Sequence, residues 1–306
     1  MKVISSVRRP GLSTAMKPAA FDYVIADSID MAVASLADGG GDAKIIAGGQ
    51  SLVPMLNFRL IRPSVLIDIN RIGDLAFIEE AGKKICVGAL TRHYQIETSP
   101  VIARHLPVLA SAMTHVAHLA IRNRGTIGGS LSHADPAAEL PMMALLLDAE
   151  LHIASASGKR TIAARDFFVG ALTVDLARDD IVTEIVLPKL PPKTGWGFEE
   201  VARRSGDFAL AAAAATLTLS AGVISQARIA LTGVGPTPVR VAQAEELLVG
   251  QALEPGLIDR IIDVVRAAIE PETDLHASSD YRRHLASVLV GRAVSAAWRR
   301  ANESAT

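Results

Sequence analysis

Cysteine is almost absent from this chain of 306 residues, and its scarcity excludes two kinds of structure. The single thiol, Cys86, cannot form an internal disulfide bond and cannot supply the ligands of an iron–sulfur cluster within the chain. Its neighbours Ile85 and Val87 indicate a buried strand, in which a cysteine packs as a small apolar side chain. Disulfide bonds and Cys-ligated clusters are therefore ruled out inside this chain.

Aromatic side chains and net charge are also scarce. Phe, Tyr and Trp make up 4% of the residues and hydrophobic residues 50%, so the cores must consist mainly of Ala, Val, Leu and Ile. The 31 basic and 32 acidic side chains leave a net charge of −1, which lacks the basic excess of a nucleic-acid-binding protein. No apolar run approaches the length of a membrane span. The length and composition indicate a globular chain of two or three domains.

The first fifteen residues differ from the rest of the chain. Their sequence, MKVISSVRRPGLSTA, is basic and lacks the apolar region of a secretory signal. We expect residues 1–15 to be a disordered N-terminal extension and the protein to be cytoplasmic.

Two glycine pairs stand out against this background. The first glycine segment is Lys44-Ile-Ile-Ala-Gly-Gly-Gln-Ser51, which predicts a short strand followed by a tight turn. Gly48 and Gly49 permit positive φ angles and a close approach to a ligand. Successive N–H groups in such a turn form a concavity that binds phosphate without side-chain charge.

The second glycine segment, Arg122-Asn-Arg-Gly-Thr-Ile-Gly-Gly-Ser130, repeats this chemistry with two flanking hydroxyl groups, those of Thr126 and Ser130. Taken alone, the sequence of either segment fits an ordinary turn as well as it fits a binding site. Two glycine turns that both offer donors suit a diphosphate-bridged cofactor better than a single phosphate.

Other nucleotide and metal motifs are missing. Gly233-Val-Gly235 is followed by Pro-Thr-Pro, which breaks the dinucleotide-binding pattern, and neither a Walker lysine motif nor His-Glu-x-x-His occurs. His133 and Asp135 have no third ligand nearby, and we interpret His133 as part of a structural loop. The sequence therefore predicts neither a metal site nor a Rossmann fold.

The periodicity of apolar residues predicts an α+β chain in two parts. Residues 16–189 form the first part, with subdomains over about 16–70 and 71–189. A Pro-rich linker then leads to a C-terminal α+β region over 195–302, in which three antiparallel strands carry helices on one face.

Particular helices are expected in the first part. Ser28 is a candidate N-cap, and residues from Leu106 to Ala120 fall close to helical spacing. Asp135 and Pro136 are expected to begin a helix over Ala137–Leu147, with Glu139 in its first turn.

The two glycine segments, their order and their spacing resemble a known family. AGGQSLVPMLNFRL, followed from Ile121 by IRNRGTIGGSLSHADPAAELP, is similar to the FAD-binding medium subunit of molybdenum hydroxylases. Carbon monoxide dehydrogenase, xanthine dehydrogenase and bacterial N-heterocycle dehydrogenases belong to this family, and the likeness extends from Met16 to Trp298. It implies a two-subdomain FAD-binding domain of the vanillyl-alcohol oxidase (PCMH) type, with the flavin between the subdomains.

The resemblance implies cofactor contacts from both segments and from four residues beyond them. Lys44 is expected near phosphate or adenosine oxygens, Glu139 at the adenosine ribose and Val182 on the adenine side. Asp207 and Phe208 are expected at the flavin ring or its acceptor face. The complete set of expected cofactor-binding residues is Lys44, Ile45, Ile46, Ala47, Gly48, Gly49, Gln50, Ser51, Thr126, Ile127, Gly128, Gly129, Ser130, Glu139, Val182, Asp207 and Phe208.

Structural interpretations without a ligand stay open for several of these residues. In these interpretations Lys44 is a solvated residue on a strand, and Glu139 is an acid that stabilises the first turn of its helix. Val182 is then a core residue, and Asp207 belongs to a turn stabilised by an Arg–Asp pair.

Two positions depart from the family. Gln50 replaces a histidine that carries the flavin covalently in some flavoproteins of this fold, so we expect non-covalent FAD. Glu199 or Glu200 occupies a position that is often lysine in relatives, which removes a possible positive contact with the cofactor.

The function implied by the resemblance is that of the FAD-carrying electron-transfer subunit of a heterotrimeric molybdenum hydroxylase. Molybdopterin is expected on a large partner subunit and two [2Fe–2S] clusters on a small one, with a dimer of heterotrimers as the assembly. Such a chain needs no catalytic acid–base residues of its own, because the cofactor supplies the chemistry. The alternatives are a stand-alone FAD-dependent oxidoreductase of the same fold, which would need an acid or base over the flavin, and a flavin-free scaffold.

Overall fold

The computed structural model describes residues 17–303, which contain sheets of three, five, four and two strands. The expected disordered extension over residues 1–15 falls outside the described residues. No helix among residues 17–303 is long and apolar enough to cross a membrane.

A small parallel sheet opens the chain. It consists of β1 (Asp22–Ile25), β2 (Ala43–Ile46) and β3 (Val65–Asp68) in the order β1-β3-β2. Helix α1 (Ile29–Asp38) begins at Ser28, whose Oγ accepts a hydrogen bond from the Met31 N–H at 3.2 Å, as the capping pattern predicts. Helix α2 (Leu52–Asn57) follows the first glycine segment. The segment thus leaves the carboxyl end of a parallel strand, the edge at which open α/β sheets bind ligands.

An antiparallel sheet follows, in the order β4-β5-β10-β6-β7. Its strands are β4 (Ile78–Ala81), β5 (Lys84–Gly88), β6 (Glu150–Ser155), β7 (Gly158–Ala163) and β10 (Ile181–Pro188). A two-stranded sheet of β8 (Phe168–Gly170) and β9 (Thr173–Val174) lies in the connection before β10. The helices are α3 (His93–Glu97), α4 (Pro100–His105), α5 (Pro107–Met113), α6 (Leu119–Arg122), α7 (Ile127–His133), α8 (Glu139–Leu146) and α9 (Ala164–Phe167).

Two predicted helices in this part are wrong in their bounds. The helical spacing through Ala120 does not correspond to one helix, since α5 ends at Met113 and Ala117 adopts a left-handed conformation with φ of 47°. The helix expected over Ala137–Leu147 begins at Glu139 instead, and the Asp135 side chain accepts a hydrogen bond from the Ala137 N–H at 2.9 Å in the preceding turn. Glu139 remains in the first helical turn, as predicted.

The C-terminal part has one strand more than the three expected. Its sheet contains β11 (Thr194–Ala202), β12 (Ala209–Ser220), β13 (Val223–Thr232) and the short β14 (Val239–Arg240), in that order. The helices are α10 (Ala242–Leu248), α11 (Pro255–Ala268) and α12 (Ser279–Glu303). Strand β14 was not predicted because its two residues, Val239 and Arg240, are too few to show the alternation of apolar and polar residues that indicates a strand.

The alanine-rich strand β12 lies between two cores. Ala211 and Ala213 pack against α12 and its neighbours, whereas Ala212 and Ala214 join the core of the preceding part of the chain. Side chains alternate between the faces of a strand, so a run of alanines lets helices approach both faces closely. The C-terminal sheet is therefore covered by its own helices on one face and by the preceding residues, including α8, on the other.

Candidate cofactor site

The first glycine segment turns sharply at the end of β2. Gly49 has a φ of 72°, which confirms the predicted positive φ at this position. Gly48 is needed for a different reason, since a Cβ there would overlap the backbone carbonyl of Arg124. The first glycine segment therefore lies directly against the second.

The first glycine segment leaves its backbone donors free. Among residues 17–303 no acceptor is bonded to the N–H groups of Gly48, Gly49, Gln50 or Ser51. The Gln50 side chain folds back instead, and its Nε2 donates to the Gly48 carbonyl at 3.0 Å. Four successive free N–H groups beside a cavity provide the concavity that binds an anionic group.

The second glycine segment forms a helix start rather than the predicted turn. Thr126 is the N-cap of α7, and its Oγ1 accepts a hydrogen bond from the Gly129 N–H at 3.1 Å. The N–H groups of Ile127 and Gly128 donate to the carbonyls of Thr91 and Ala89, and the Ser130 N–H donates to the Thr126 carbonyl. All four N–H groups from Ile127 to Ser130 are thus used inside the protein.

Gly128 lets α7 pack closely on the strand region that follows β5. A Cβ at Gly128 would lie 2.6 Å from the Ala89 Cβ, whereas Gly129 is exposed to solvent and the cavities. The second glycine pair therefore fixes the position of α7, which presents Gly129 and Ser130 to the ligand space.

Arg92 ties the two segments together. Its Nη2 donates to the Asn70 Oδ1 at 2.7 Å, and its Nη1 donates to the Arg124 carbonyl. The Asn70 Nδ2 in turn donates to the Ala47 carbonyl at 2.8 Å. This chain of hydrogen bonds joins the end of β2 to the start of the second glycine segment.

Two adjoining cavities meet at the glycine segments. The smaller cavity has a volume of about 200 Å³ and the larger one about 570 Å³. Residues of both segments line both cavities. Five residues line the two cavities alike: Gly48, Gly49, Ser51, Gly129 and His133. An elongated ligand can therefore extend through both cavities while its middle lies beside the free N–H groups.

The cavities bring together fifteen of the seventeen residues expected at the cofactor. The smaller one is lined by Gly48, Gly49, Gln50, Ser51, Thr126, Gly129, Ser130, Glu139, Asp207 and Phe208, and the larger one by Lys44, Ile45, Ala47, Gly48, Gly49, Ser51, Gly128, Gly129 and Val182. The exceptions are Ile46 and Ile127, which line neither cavity; Ile127 is buried in the core.

Glu139 and Val182 do not lie in the same cavity, although both were expected at the adenosine. Glu139 lines the smaller cavity with Asp207 and Phe208, and Val182 lines the larger one. The two residues therefore line different cavities, and their joint position at the adenosine stays a prediction. The position of Glu139 beside Asp207 and Phe208 favours the flavin end for Glu139.

His93 is a cavity residue that the sequence analysis missed. It is 6% exposed and lines the smaller cavity, and its Nε2 lies 3.0 Å from the Thr126 carbonyl. Because burial lowers the pKa of His93 to about 4, the ring is neutral near pH 7 and must carry its proton on Nε2 to bond this carbonyl. Nδ1, which is buried without a partner among the described residues, can therefore only accept a hydrogen bond.

Arg178 is a second residue that sequence reasoning missed. It lines the larger cavity together with Lys44, and no ion pair is formed by either side chain within residues 17–303. The neighbouring Asp180 fixes this loop, since its Oδ2 accepts hydrogen bonds from the Ala177 N–H at 2.7 Å and from Arg160 at 2.8 Å. Two cations are thus placed where they can attract a phosphate group.

These features fit FAD, which has an anionic diphosphate between two planar ring systems. The free N–H groups and the two cations suit the diphosphate, and the adjoining cavities suit the two ends. The unpartnered Nδ1 of His93 is an available acceptor for a hydroxyl or ring N–H group of FAD. Within residues 17–303 no group of three His, Cys, Asp or Glu side chains is arranged to hold a metal ion.

Comparison with family models decides the relationship. A model described as the FAD binding domain in molybdopterin dehydrogenase matches residues 19–190, and one described as the CO dehydrogenase flavoprotein C-terminal domain matches residues 196–297. The chain belongs to this family of molybdopterin dehydrogenase flavoproteins. It therefore contains an FAD-binding domain and is an oxidoreductase subunit of the molybdenum hydroxylase type.

Characterised relatives span almost the whole chain. The chain is 45% identical to the 6-hydroxypseudooxynicotine dehydrogenase complex subunit alpha of Paenarthrobacter nicotinovorans, with 94% of this chain and 97% of the relative covered. It is 38% identical to the carbon monoxide dehydrogenase medium chain of Hydrogenophaga pseudoflava, with 93% and 99% covered. These relatives are chains of multi-subunit enzymes, so the stand-alone oxidoreductase is not favoured.

The fold agrees with solved structures of the family. A structure of carbon monoxide dehydrogenase from Hydrogenophaga pseudoflava matches with a TM-score of 0.91 at 39% identity, covering 93% of this chain and 99% of that one. Quinoline 2-oxidoreductase from Pseudomonas putida 86 matches with a TM-score of 0.89 at 39% identity, covering 94% and 99%. The mixed α/β fold is therefore that of the flavoprotein subunit in these enzymes.

Proposed function

We propose that this chain is the FAD-carrying electron-transfer subunit of a heterotrimeric molybdenum hydroxylase. In this proposal a small partner subunit delivers electrons from [2Fe–2S] clusters, a large partner subunit carries molybdopterin, and an external acceptor takes the electrons from FAD. A dimer of heterotrimers and a cytoplasmic location are part of the proposal and rest on the resemblance and the sequence expectations.

One observation carries this proposal: two glycine segments, far apart in sequence, meet at adjoining cavities, and one of them offers four free N–H groups. We infer that these N–H groups, with Lys44 and Arg178, hold the diphosphate of FAD. The cofactor itself supplies the electron-transfer chemistry when it is bound.

The remaining cavity residues have separate roles in this proposal. The hydroxyl groups of Thr126 and Ser130 and the Nδ1 of His93 orient polar groups of FAD. Gln50 cannot form the covalent bond of a flavinylated histidine, so the cofactor is held non-covalently. Phe208, which lines the smaller cavity and is 59% exposed, would lie between the cofactor and a docking partner or acceptor.

We further propose that residues 16–189 form the FAD-binding domain of PCMH type, divided into subdomains near residue 70, and that residues 195–302 form the C-terminal domain. The parallel sheet, the antiparallel sheet and the C-terminal sheet support this division. In this arrangement the cavities lie between the first two sheets, beside the loop that contains Phe208.

Substrate selection is proposed to reside in another subunit. The relatives include a carbon monoxide dehydrogenase chain at 38% identity and a nicotine 6-hydroxylase medium subunit at 41% identity. Enzymes named for such different substrates share similar medium subunits, which supports a common electron-transfer role for this chain.

Absorption spectroscopy tests the proposal. The full chain is purified alone and with co-expressed partner subunits, and spectra are recorded before and after acid precipitation. We expect a flavin spectrum whose chromophore is released into the supernatant, and iron–sulfur absorbance only with partners present. A colourless protein that also fails to bind added FAD would refute the proposed function and favour a flavin-free scaffold.

A further inference from the structure

Two buried glutamates and a histidine from three separate parts of the chain lie near one another, and one of the glutamates lines the smaller cavity. Glu139, at the start of α8, lines the cavity and is 4% exposed. The side chain of Glu200 on β11 is also 4% exposed, and its Oε1 lies 3.8 Å from the Nδ1 of His115. The Oε2 of Glu200 is buried without a hydrogen-bond partner among the described residues.

The structure places Glu200 and Glu199 on opposite faces of β11. Glu200 lies on the same face of β11 as Phe198 and points away from α12, because side chains alternate along a strand. The His115 ring packs against the Phe198 ring in a tilted arrangement, with centroids 4.9 Å apart, and is partly exposed to solvent. Glu200 therefore belongs to the cavity side of the sheet, and Glu199 to the other side.

The electrostatics of the cluster favour an uncharged Glu139. Burial raises the pKa of Glu139 to about 8, the negative charge of Glu200 adds to this rise, and His115 opposes it. The pKa of His115 is itself raised, chiefly by its interaction with Glu200. Of the other titratable groups near the cavity, Asp135 raises the pKa of Glu139 further; His133, Asp207 and the neutral His93 also line the cavity.

We propose that Glu200, which lies beside His115, keeps Glu139 protonated through its negative charge, and that the flavin ring meets Glu139 as a neutral carboxyl group. This inference rests on the proposed function, because it requires FAD in the cavity. A neutral carboxyl group donates one hydrogen bond and accepts another. The pyrimidine edge of the isoalloxazine offers the complementary pair, a ring N–H beside a carbonyl oxygen. A lysine at position 200 would instead favour an ionised Glu139.

The pH dependence of FAD binding tests this proposal on the full chain. Glu139 is protonated below its raised pKa and loses its proton above it, so the dissociation constant should be constant at lower pH and rise above the midpoint, by up to about tenfold per pH unit. The visible absorption band of bound FAD should shift with the same midpoint, which a contact with the adenine would not cause. Both quantities are measured from about pH 6 to about pH 9, the range that brackets the raised pKa.

Three variants sharpen the test. Glu139→Gln keeps one donor and one acceptor without a proton to lose, so it should bind FAD with a flat pH profile. Glu200→Gln removes the neighbouring negative charge and should move the midpoint to lower pH. Glu246→Gln, an exposed residue on α10, is the matched control and should follow the wild type.

The outcomes separate this inference from the proposed function. A wild-type chain that binds no FAD at any pH overturns the proposed function. A chain that binds FAD with a dissociation constant and a visible band independent of pH, or with a midpoint that Glu200→Gln leaves unchanged, overturns this inference alone.

Discussion

In the first glycine segment the N–H groups of residues 48–51 form no hydrogen bond within residues 17–303, whereas in the second all four N–H groups of residues 127–130 do. The two segments carry the same Gly-Gly pair, with one hydroxyl side chain near the first, that of Ser51, and two near the second, those of Thr126 and Ser130. One nevertheless keeps its backbone for a ligand, and the other uses its backbone to begin a helix and attach it to a neighbouring strand. A glycine pair therefore indicates a backbone with unusual freedom, and the hydrogen-bond partners decide what that freedom is used for.

Gly48→Ala should have the largest effect on this comparison. The added Cβ would overlap the Arg124 carbonyl and force the two segments apart. We expect the loss of two charge-assisted hydrogen bonds to FAD, on the order of 3 kcal/mol or about a hundredfold in the dissociation constant. Fluorescence titration with FAD measures the dissociation constant. The control is Gly73→Ala, because a Cβ at Gly73 would have no neighbour within 4 Å. Unchanged affinity in Gly48→Ala would show that the contact between the segments is not needed.

Gly128→Ala should act on stability rather than on the ligand. Its Cβ would lie 2.6 Å from the Ala89 Cβ, so α7 must shift. We expect the free energy of unfolding to fall by about 1–3 kcal/mol, the usual cost of overpacking, measured by urea denaturation without FAD. If Gly128→Ala kept its stability and lost as much FAD affinity as Gly48→Ala, the second glycine segment would bind the ligand and would not serve a structural role.

Arg178→Gln should have a moderate effect on affinity. It removes one of the two cations that line the larger cavity without an ion pair. We expect about tenfold weaker FAD binding, about 1.4 kcal/mol, with a smaller difference at high salt because ions screen the attraction. Lys159→Gln, an exposed cation outside both cavities, is the control. If Arg178→Gln and Lys159→Gln bind FAD with equal affinity at low salt, Arg178 does not contribute to the cofactor site.

Thr126→Ala should have the smallest effect. It deletes the side chain that caps α7, and we expect a loss of about 1 kcal/mol in the free energy of unfolding. Thr126→Ser keeps the capping oxygen and should retain most of the stability. If Thr126→Ser and Thr126→Ala lower the free energy of unfolding equally, the capping hydrogen bond does not stabilise the second glycine segment.

The sequence predicted the first glycine segment better than the second. Strand β2, the positive φ of Gly49 and the residues of the cavity follow from local pattern and the family resemblance. The helix at Ile127 was missed because glycine is a poor helix former, although Thr126 before an apolar residue is a capping signal.

Other parts of the site depend on contacts between distant residues. His93 and Arg178 reach the cavities through loops and helices whose positions no local pattern specifies. The same is true of Glu139, whose separation from Val182 appears only when the two cavities are compared, and of Glu200, whose orientation depends on the register of β11.

Amide hydrogen exchange, followed by mass spectrometry with and without FAD, tests the central claim most directly. Peptides covering the first glycine segment should exchange rapidly without FAD and become protected when FAD binds. Peptides covering residues 127–130 should already be protected without FAD and change little, because their N–H groups are bonded inside the protein. Protection by FAD that is confined to the second segment would contradict the assignment of the free N–H groups as the cofactor cradle.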